Sequence, residues 1–340
     1  MTTPDSIRDA LLSSPKVRPV GGRTKHALSG LSDGVAALDL SGYRGITEYD
    51  PGEFTFTARA GTPLSEIAEA LAKNGQYLPF DPPLVQAGAT LGGAIASGLN
   101  GPGRLRYGGA RDFILGAVFL TGDGRLVHGG GKVVKNAAGF DFPKLLVGSC
   151  GRLGVILEAT FKVFPTPQAT LTAAADAGSL ESALALAGRL GRLPADLDAL
   201  EILPTGRVFI RLAGDAGTLE ARLERLGREA QGRFQPAPDG LPADVTAPRG
   251  VKIPVTPARI LALDAALAQL GLTERHYGVA GHAAHVRADA DALPKLNQTL
   301  RDFGLAGLSI FHAPARLGAW TTHEAEALVA QALNPSQRLG

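Results

Sequence analysis

Residues 18–25 read Arg18-Pro19-Val20-Gly21-Gly22-Arg23-Thr24-Lys25, a strand-like run that ends in a double glycine followed by a hydroxyl and two cations. Glycine lets backbone N–H groups come close to a ligand, and local positive charge favours an anion. Further along, Gly88-Ala89-Thr90-Leu91-Gly92-Gly93-Ala94-Ile95-Ala96-Ser97-Gly98 reads as a short helix with Thr90 as its cap and glycines in the first turn. Such a start is expected to present unpaired N–H groups and a partial positive charge. A third stretch, Lys135-Asn136-Ala137-Ala138-Gly139-Phe140-Asp141, is followed by Gly148-Ser149-Cys150-Gly151-Arg152-Leu153-Gly154-Val155-Ile156, which leads back into a strand. A tight turn explains each stretch alone about as well. The three in this order point to one anion cradle.

The composition around them agrees. Of the 44 glycines, 18 fall in residues 87–154, where eight basic and three acidic side chains leave a charge of +5, against +2 for the whole chain. That small net charge gives no overall field toward nucleic acid or an anionic membrane. The opening residues lack the pattern of a secretory signal, and Ala87 to Leu99 is too short and glycine-rich to cross a bilayer, so a cytoplasmic protein is expected, with any membrane association coming through partners. Cys150 is the sole cysteine, which excludes an internal disulfide, a thiolate-built zinc site and an iron–sulfur cluster held by this chain alone. Two common phosphate motifs fail. No third glycine follows Gly101-Pro102-Gly103, and position 126, where a Walker loop ending at Lys132 needs glycine, is leucine. A Rossmann dehydrogenase and a P-loop nucleotidase are therefore not expected.

Periodicity supplies the surrounding elements. Helix is expected from Ser6 to Leu12, strand at Val17–Val20, Ala36–Leu40 and Phe54–Ala60, then a helix with Thr62 as N-cap and Pro63 at its first position. Thr121-Gly122-Asp123-Gly124 marks a hairpin, Phe142–Val147 a short helix, and the alternation from Val155 to Val163 a half-buried strand. After Phe164-Pro165-Thr166-Pro167, two strand–helix sets in tandem suit one α+β domain with an antiparallel sheet covered by helices. Helices are expected at Leu180–Leu190, Leu219–Glu229, Pro257–Leu270 and Asp291–Phe303, and a hairpin at Arg275–Arg287. The domains are accordingly drawn as 1–166, itself in two subdomains of about 1–78 and 79–166, and 167–340.

At the quoted residues, and at Ala58-Arg59-Ala60-Gly61-Thr62-Pro63-Leu64, Leu78-Pro79-Phe80-Asp81-Pro82-Pro83, Tyr107-Gly108 and Arg111-Asp112, the chain resembles the FAD-binding domain of the vanillyl-alcohol-oxidase and p-cresol-methylhydroxylase (PCMH) superfamily. More closely, it resembles the FAD-binding subunits of bacterial glycolate oxidases (glycolate dehydrogenases). The resemblance covers about Val17 to Pro165. It implies an α+β fold in which a two-subdomain PCMH-type FAD-binding domain precedes a cap-like α+β domain with an antiparallel sheet. It also implies non-covalent FAD, since a histidine stands near the position of Arg23 in relatives with covalent flavin, and His26 lies three residues away. The cofactor-binding residues it implies are Val20, Gly21, Gly22, Arg23, Thr24, Lys25, Pro82, Ala89, Thr90, Gly92, Gly93, Ser97, Gly98, Tyr107, Gly108, Asp112, Lys135, Asn136, Gly151, Gly154, Val155 and Ile156. Cys150 is expected to be a small packing residue. Arg23 departs from the family, where a third small residue or asparagine is common.

The C-terminal half departs further. Related 2-hydroxy-acid dehydrogenases carry a His-x-Gly-Asp-Gly-Asn-x-x-His-like stretch, and the nearest text here is Gly278-Val279-Ala280-Gly281-His282-Ala283-Ala284-His285. No metal site and no catalytic residue are assigned from it. His282 or His285 remains open as a lone base, Arg211 and Arg287 as carboxylate partners, and His312 and Trp320 as packing residues. Three functions stay open. The main one is an FAD-binding oxidoreductase subunit in a complex that oxidises glycolate to glyoxylate, relaying electrons or supporting a catalytic flavoprotein subunit and an iron–sulfur subunit. The alternatives are a stand-alone FAD-dependent 2-hydroxy-acid (D-lactate-type) dehydrogenase and a scaffold that has lost FAD.

Overall fold

The computed structural model describes residues 2–131, 140–242, 250–321 and 324–339. The chain forms two compact units: Met1–Asn100 with Gly109–Thr166 and Thr321–Gly340, and Gly101–Gly108 with Pro167–Trp320.

In the first unit, β1 (Val17–Val20) and β2 (Ala36–Asp39) pair in parallel. Strands β3 (Ile46–Asp50), β4 (Thr55–Arg59), β6 (Ile114–Leu120), β7 (Leu126–Gly130) and β8 (Val155–Lys162) make an antiparallel sheet of order β3-β4-β8-β6-β7. Two short strands, β5 (Gln76–Tyr77) and β9 (Phe164–Pro165), pair separately. Along β8, Val155, Leu157, Ala159 and Phe161 are buried as period two requires. Of the opposite face only Glu158 and Lys162 are half-exposed, since Ile156 and Thr160 are buried too, so the strand is covered on both sides rather than half-buried. The expected hairpin joins β6 to β7 through Thr121–Arg125.

One helix start differs from expectation. The helix Leu64–Ala72 is preceded by Pro63 in extended geometry. The Thr62 hydroxyl instead accepts the Gly45 N–H at 2.9 Å and donates to the Arg59 carbonyl at 2.7 Å, so it ties a loop rather than capping the helix.

The C-terminal tail belongs to this unit. Leu339 joins a core of Ile7, Leu11, Val17, Leu38, Leu120 and Val155, and the Val17 N–H donates to the Arg338 carbonyl at 2.8 Å. Strand β1, which leads into the double-glycine turn, is thus clamped by the last residues of the chain. Leu339→Ala is expected to cost about 2 kcal/mol, the low end for leucine-to-alanine changes in a core. A urea-unfolding series checks it.

The second unit holds one nine-stranded antiparallel sheet of order β13-β10-β12-β11-β15-β16-β14-β17-β18. Its strands are β10 (Ala169–Asp176), β11 (Ala199–Ile202), β12 (Arg207–Gly214), β13 (Gln235–Pro236), β14 (Val251–Pro254), β15 (Arg275–Gly278), β16 (Ala283–Val286), β17 (Ala306–Ser309) and β18 (Arg316–Gly318). The helices Leu180–Leu190, Leu219–Ala230, Ile260–Gln269 and Leu293–Asp302 bury Leu186, Leu226, Leu263 and Leu296 against Leu200, Ile210, Ile253, Tyr277 and Ala284 of the sheet. The tandem sets are two β-α-β-β-α-β halves whose second strands, β11 and β15, meet at the single register pair Ile202↔Tyr277. Alternation then sends Glu201, His276, His285 and Lys252 to the face opposite that core. Among the described residues, no helix is long and apolar enough to cross a membrane.

Candidate functional site

The three glycine-rich stretches meet in the first unit. The chain leaves β1 through Gly21-Gly22, and this turn lies so close to residues 88–90 that side chains do not fit. A Cβ on Gly22 would stand 2.0 Å from the Gly88 carbonyl oxygen, and one on Gly21 would stand 2.4 Å from Thr90 Oγ1. The third stretch closes the other side: Gly151, at φ +75°, stands opposite Pro19, and Gly154 leaves room for the Phe119 ring. Between them runs a cleft with about 710 Å³ of empty space, its open mouth included.

Of the residues expected to bind, Val20, Gly21, Gly22, Arg23, Thr24, Lys25, Thr90, Gly92, Gly93, Ser97, Gly151, Gly154 and Ile156 line this cleft. The others do not. Pro82 is half-buried outside it. Ala89 is buried, with its carbonyl accepting the Leu64 N–H at 2.8 Å. Gly98 ends the helix Leu91–Ser97 at φ 61°. Asp112 accepts the Gly109 N–H at 2.8 Å, and Val155 lies inside the core, where the inward positions of β8 put it. Tyr107 and Gly108 belong to the second unit; Tyr107 donates its hydroxyl to Asp198 at 3.2 Å, and Gly108 closes the turn of helix Arg104–Tyr107 at φ 84°. Lys135 and Asn136 lie outside the described residues.

The available donors lie at one of the two places the sequence suggested, the double-glycine turn, and not at the start of the helix. Thr90 does cap the helix Leu91–Ser97, accepting the Gly93 N–H at 3.3 Å. The two N–H groups before it are already spent, from Leu91 to the Thr62 carbonyl at 2.9 Å and from Gly92 to the Ala60 carbonyl at 2.8 Å. Nothing in residues 58–64 announced that packing. By contrast, among the described residues no group receives the N–H of Gly21, Gly22, Arg23 or Thr24. Successive free amides in a turn with a left-handed residue form an anion-binding concavity, and Arg23 takes φ 50° here. That conformation explains why small residues or asparagine suit this position. The Arg23 guanidinium lies 3.7 Å from the Asp39 carboxylate, both about half exposed.

Charge completes the site. Lys25 is 6% exposed, and its ammonium finds only the Thr24 hydroxyl, at 3.3 Å. Burial pushes it down to about 8. Arg18, half-buried below the turn, is also lowered, by burial and by Arg152, and its Nε is buried without a partner. Among the described residues, no acidic side chain lines the cleft. A buried ammonium with no acid beside it, next to open amides, calls for an anion from outside.

Sequence reasoning missed Pro19, Leu28, Ser29, Leu40, Ala60, Ala96 and Cys150 as lining residues. Most are small or apolar and carry no pattern of their own. Cys150, read as packing, is buried at φ 50° but lies on the cleft wall. In the second unit, Arg287 pairs with Glu274 on the surface, and His282 is exposed at a turn.

Comparison with known proteins agrees with this geometry. The family described as "FAD binding domain" matches residues 4–130. The glycolate oxidase subunit GlcE of Escherichia coli (strain K12) is 46% identical over 155 residues, 46% of this chain and 41% of that protein. A D-2-hydroxyglutarate dehydrogenase of Xanthomonas citri pv. viticola is 33% identical over 164 residues, 47% of this chain and 34% of that protein. The matched regions thus span less than half the length of these relatives. An alkyldihydroxyacetonephosphate synthase structure shares the fold, with a TM-score of 0.71 at 14% identity over 99% of this chain and 73% of that one.

Proposed function

We propose, for a chain that carries a PCMH-type FAD-binding domain homologous to those of bacterial glycolate oxidase and other FAD-linked oxidases, that it is an FAD-dependent oxidoreductase acting on small 2-hydroxy acids. The domain's cofactor is non-covalent FAD, and among the described residues neither histidine nor tyrosine lines the cleft. The observation that carries the reading is the row of open amides from Gly21 to Thr24 beside the buried Lys25. These groups fit a diphosphate: four donors, one cation and no competing carboxylate. Gly151, Gly154 and Ile156, on the opposite wall, would hold the adenosine end.

FAD, when bound, supplies the two-electron acceptor needed to turn a 2-hydroxy acid into a 2-oxo acid. The chain's part is to anchor the cofactor, neutralise its phosphates and keep water from Lys25. A second reading, in which the chain is the flavin-carrying member of a glycolate oxidase-like assembly with a catalytic flavoprotein and an iron–sulfur subunit, is favoured by the 46% identity to GlcE.

The sole thiol gives a test that needs no activity. Cys150 lies in the cleft wall, so FAD should slow its alkylation by iodoacetamide at least tenfold; an unchanged rate at saturating FAD would remove the cofactor from this cleft. Anaerobic glycolate or D-lactate then separates the two functions. Bleaching of the flavin bands by the isolated chain supports direct oxidation, and bleaching only with partner subunits supports the assembly.

A further inference from the structure

The first unit carries an apolar surface that the FAD cleft does not use. The helix Glu324–Leu333 places Ala325, Leu328, Val329, Ala332 and Leu333 on one face, the spacing of a helix with a packed side. Its own chain covers only the end of that face. Leu333 is buried and Val329 half-buried, whereas Leu328 is 60% exposed and Ala325 and Ala332 are exposed. A helix of ten residues is marginal in water by itself and draws its stability from packing of its apolar face. Its last turn is fixed to the β6–β7 hairpin: the Gly122 N–H donates to the Leu333 carbonyl at 2.7 Å, and the Arg125 guanidinium to the Ala332 carbonyl at 3.2 Å. The same hairpin meets the helix Pro4–Leu12, since a Cβ on Gly124 would stand 3.2 Å from the Leu12 side chain. Leu12 is 42% exposed, and Leu126, the residue after Arg125, is 48% exposed. Three exposed leucines thus belong to elements that converge on one hairpin.

We infer that this surface, led by the helix Glu324–Leu333, docks into an apolar groove of a partner protein subunit whose rim is basic. Charge sets the rim. The two helices and the hairpin carry five acids, Asp5, Asp9, Asp123, Glu324 and Glu326, against the cations Arg8 and Arg125. Both cations are turned to acids of the same surface, Arg8 to Asp5 at 2.9 Å and Arg125 to Asp123 at 2.8 Å. A second copy would bring a like-charged rim, and an anionic membrane would be repelled. Size points the same way. The helix is about 15 Å long, and two such helices side by side bury well under the roughly 800 Å² per partner of a stable interface. A groove that wraps the helix and reaches the leucines beside the hairpin covers more of each partner.

For the partner's identity the inference rests on the assembly reading, in which the chain joins a catalytic flavoprotein and an iron–sulfur subunit. Co-expression of the tagged full chain with those two subunits from the same organism is the test. The wild type should retain them. Leu328→Lys removes an apolar contact and adds a charge like that of the partner's rim, so it should cut the co-purified amount about tenfold, with normal flavin content. Leu328→Met should keep most of the partner, and Glu324→Lys should weaken retention severalfold at low salt and less at high salt. If Leu328→Lys holds the partners as well as the wild type, or Leu328→Met loses them, the surface is overturned and the assembly reading stands. Unchanged retention by Glu324→Lys would remove the basic rim. A wild type that retains neither subunit ends both the surface and the assembly reading. The chain alone should be monomeric by light scattering and should not bind phosphatidylglycerol vesicles. A dimer, or vesicle binding, that Leu328→Lys abolishes would give the surface another occupant and overturn the inference. Flavin content and FAD protection of Cys150 report on the cleft separately in every variant.

Discussion

Gly22→Val is expected to strip FAD from the protein, leaving less than a tenth of the normal flavin-to-protein ratio after purification. The missing side chain at this position is not a matter of backbone freedom. Its Cβ would stand 2.0 Å from the Gly88 carbonyl oxygen, a backbone atom that no rotamer change can move. The turn must lift, and the four open amides lose their common direction. Gly22 is exposed, so the fold bears only a local strain of about 1–3 kcal/mol. The purified variant should therefore remain folded by circular dichroism, with a melting temperature lower by a few degrees. Normal flavin content in a folded Gly22→Val protein would mean that the diphosphate lies elsewhere.

The second large effect concerns Lys25 and has two signs. An unfolded lysine keeps its proton to about 10.4, whereas in the folded chain burial lowers Lys25 to about 8. Between those values the unfolded state binds more protons, so stability without FAD rises with pH through this window, by at most about 3 kcal/mol from this group. Below pH 8 the charge stays on and burdens the fold. A diphosphate reverses that burden and pulls a proton onto Lys25. FAD affinity is then expected to be level below pH 8 and to fall by up to tenfold per pH unit above it. In Lys25→Met the slope disappears, FAD binds about 10–100-fold more weakly for want of a charge-assisted contact, and the cofactor-free protein melts at a higher temperature near pH 7. FAD titrations between pH 6.5 and 9.5 measure all but the last, which a thermal melt supplies. A group that weakens the empty fold and strengthens the loaded one is what a binding site, rather than a packing residue, should show.

Much of this site is legible in the sequence because its parts are short and local. Strand β1 ends where the double glycine says it must, Thr90 caps its helix as its residue type predicts, and the alternation along β8 distinguishes inward from outward positions. What was not legible depends on partners far along the chain. The first amides of the helix Leu91–Ser97 are spent on Ala60 and Thr62, and Thr62 itself serves Gly45 instead of Pro63's helix. No local pattern encodes such choices. Val155 and Ile156 are neighbours in one apolar strand, and only the packing of β8 against Leu120 decides which of them faces the cleft. In the second unit, β14, β17 and β18 are short and escaped notice, so the shared face of Lys252, His285, His276 and Glu201, drawn from four strands, could not be assembled beforehand. The return of Leu339 to the first core is also silent in sequence, since a terminal leucine looks the same packed or free.

The account turns on which amides meet the cofactor, and glycine-selective nitrogen labelling reads that directly. Adding FAD to the labelled protein should move the amide resonances of Gly21 and Gly22 downfield, as new hydrogen bonds to phosphate require, while Gly92, already bonded to the Ala60 carbonyl, changes little. Large shifts at Gly92 and Gly93 with Gly21 and Gly22 unmoved would contradict it.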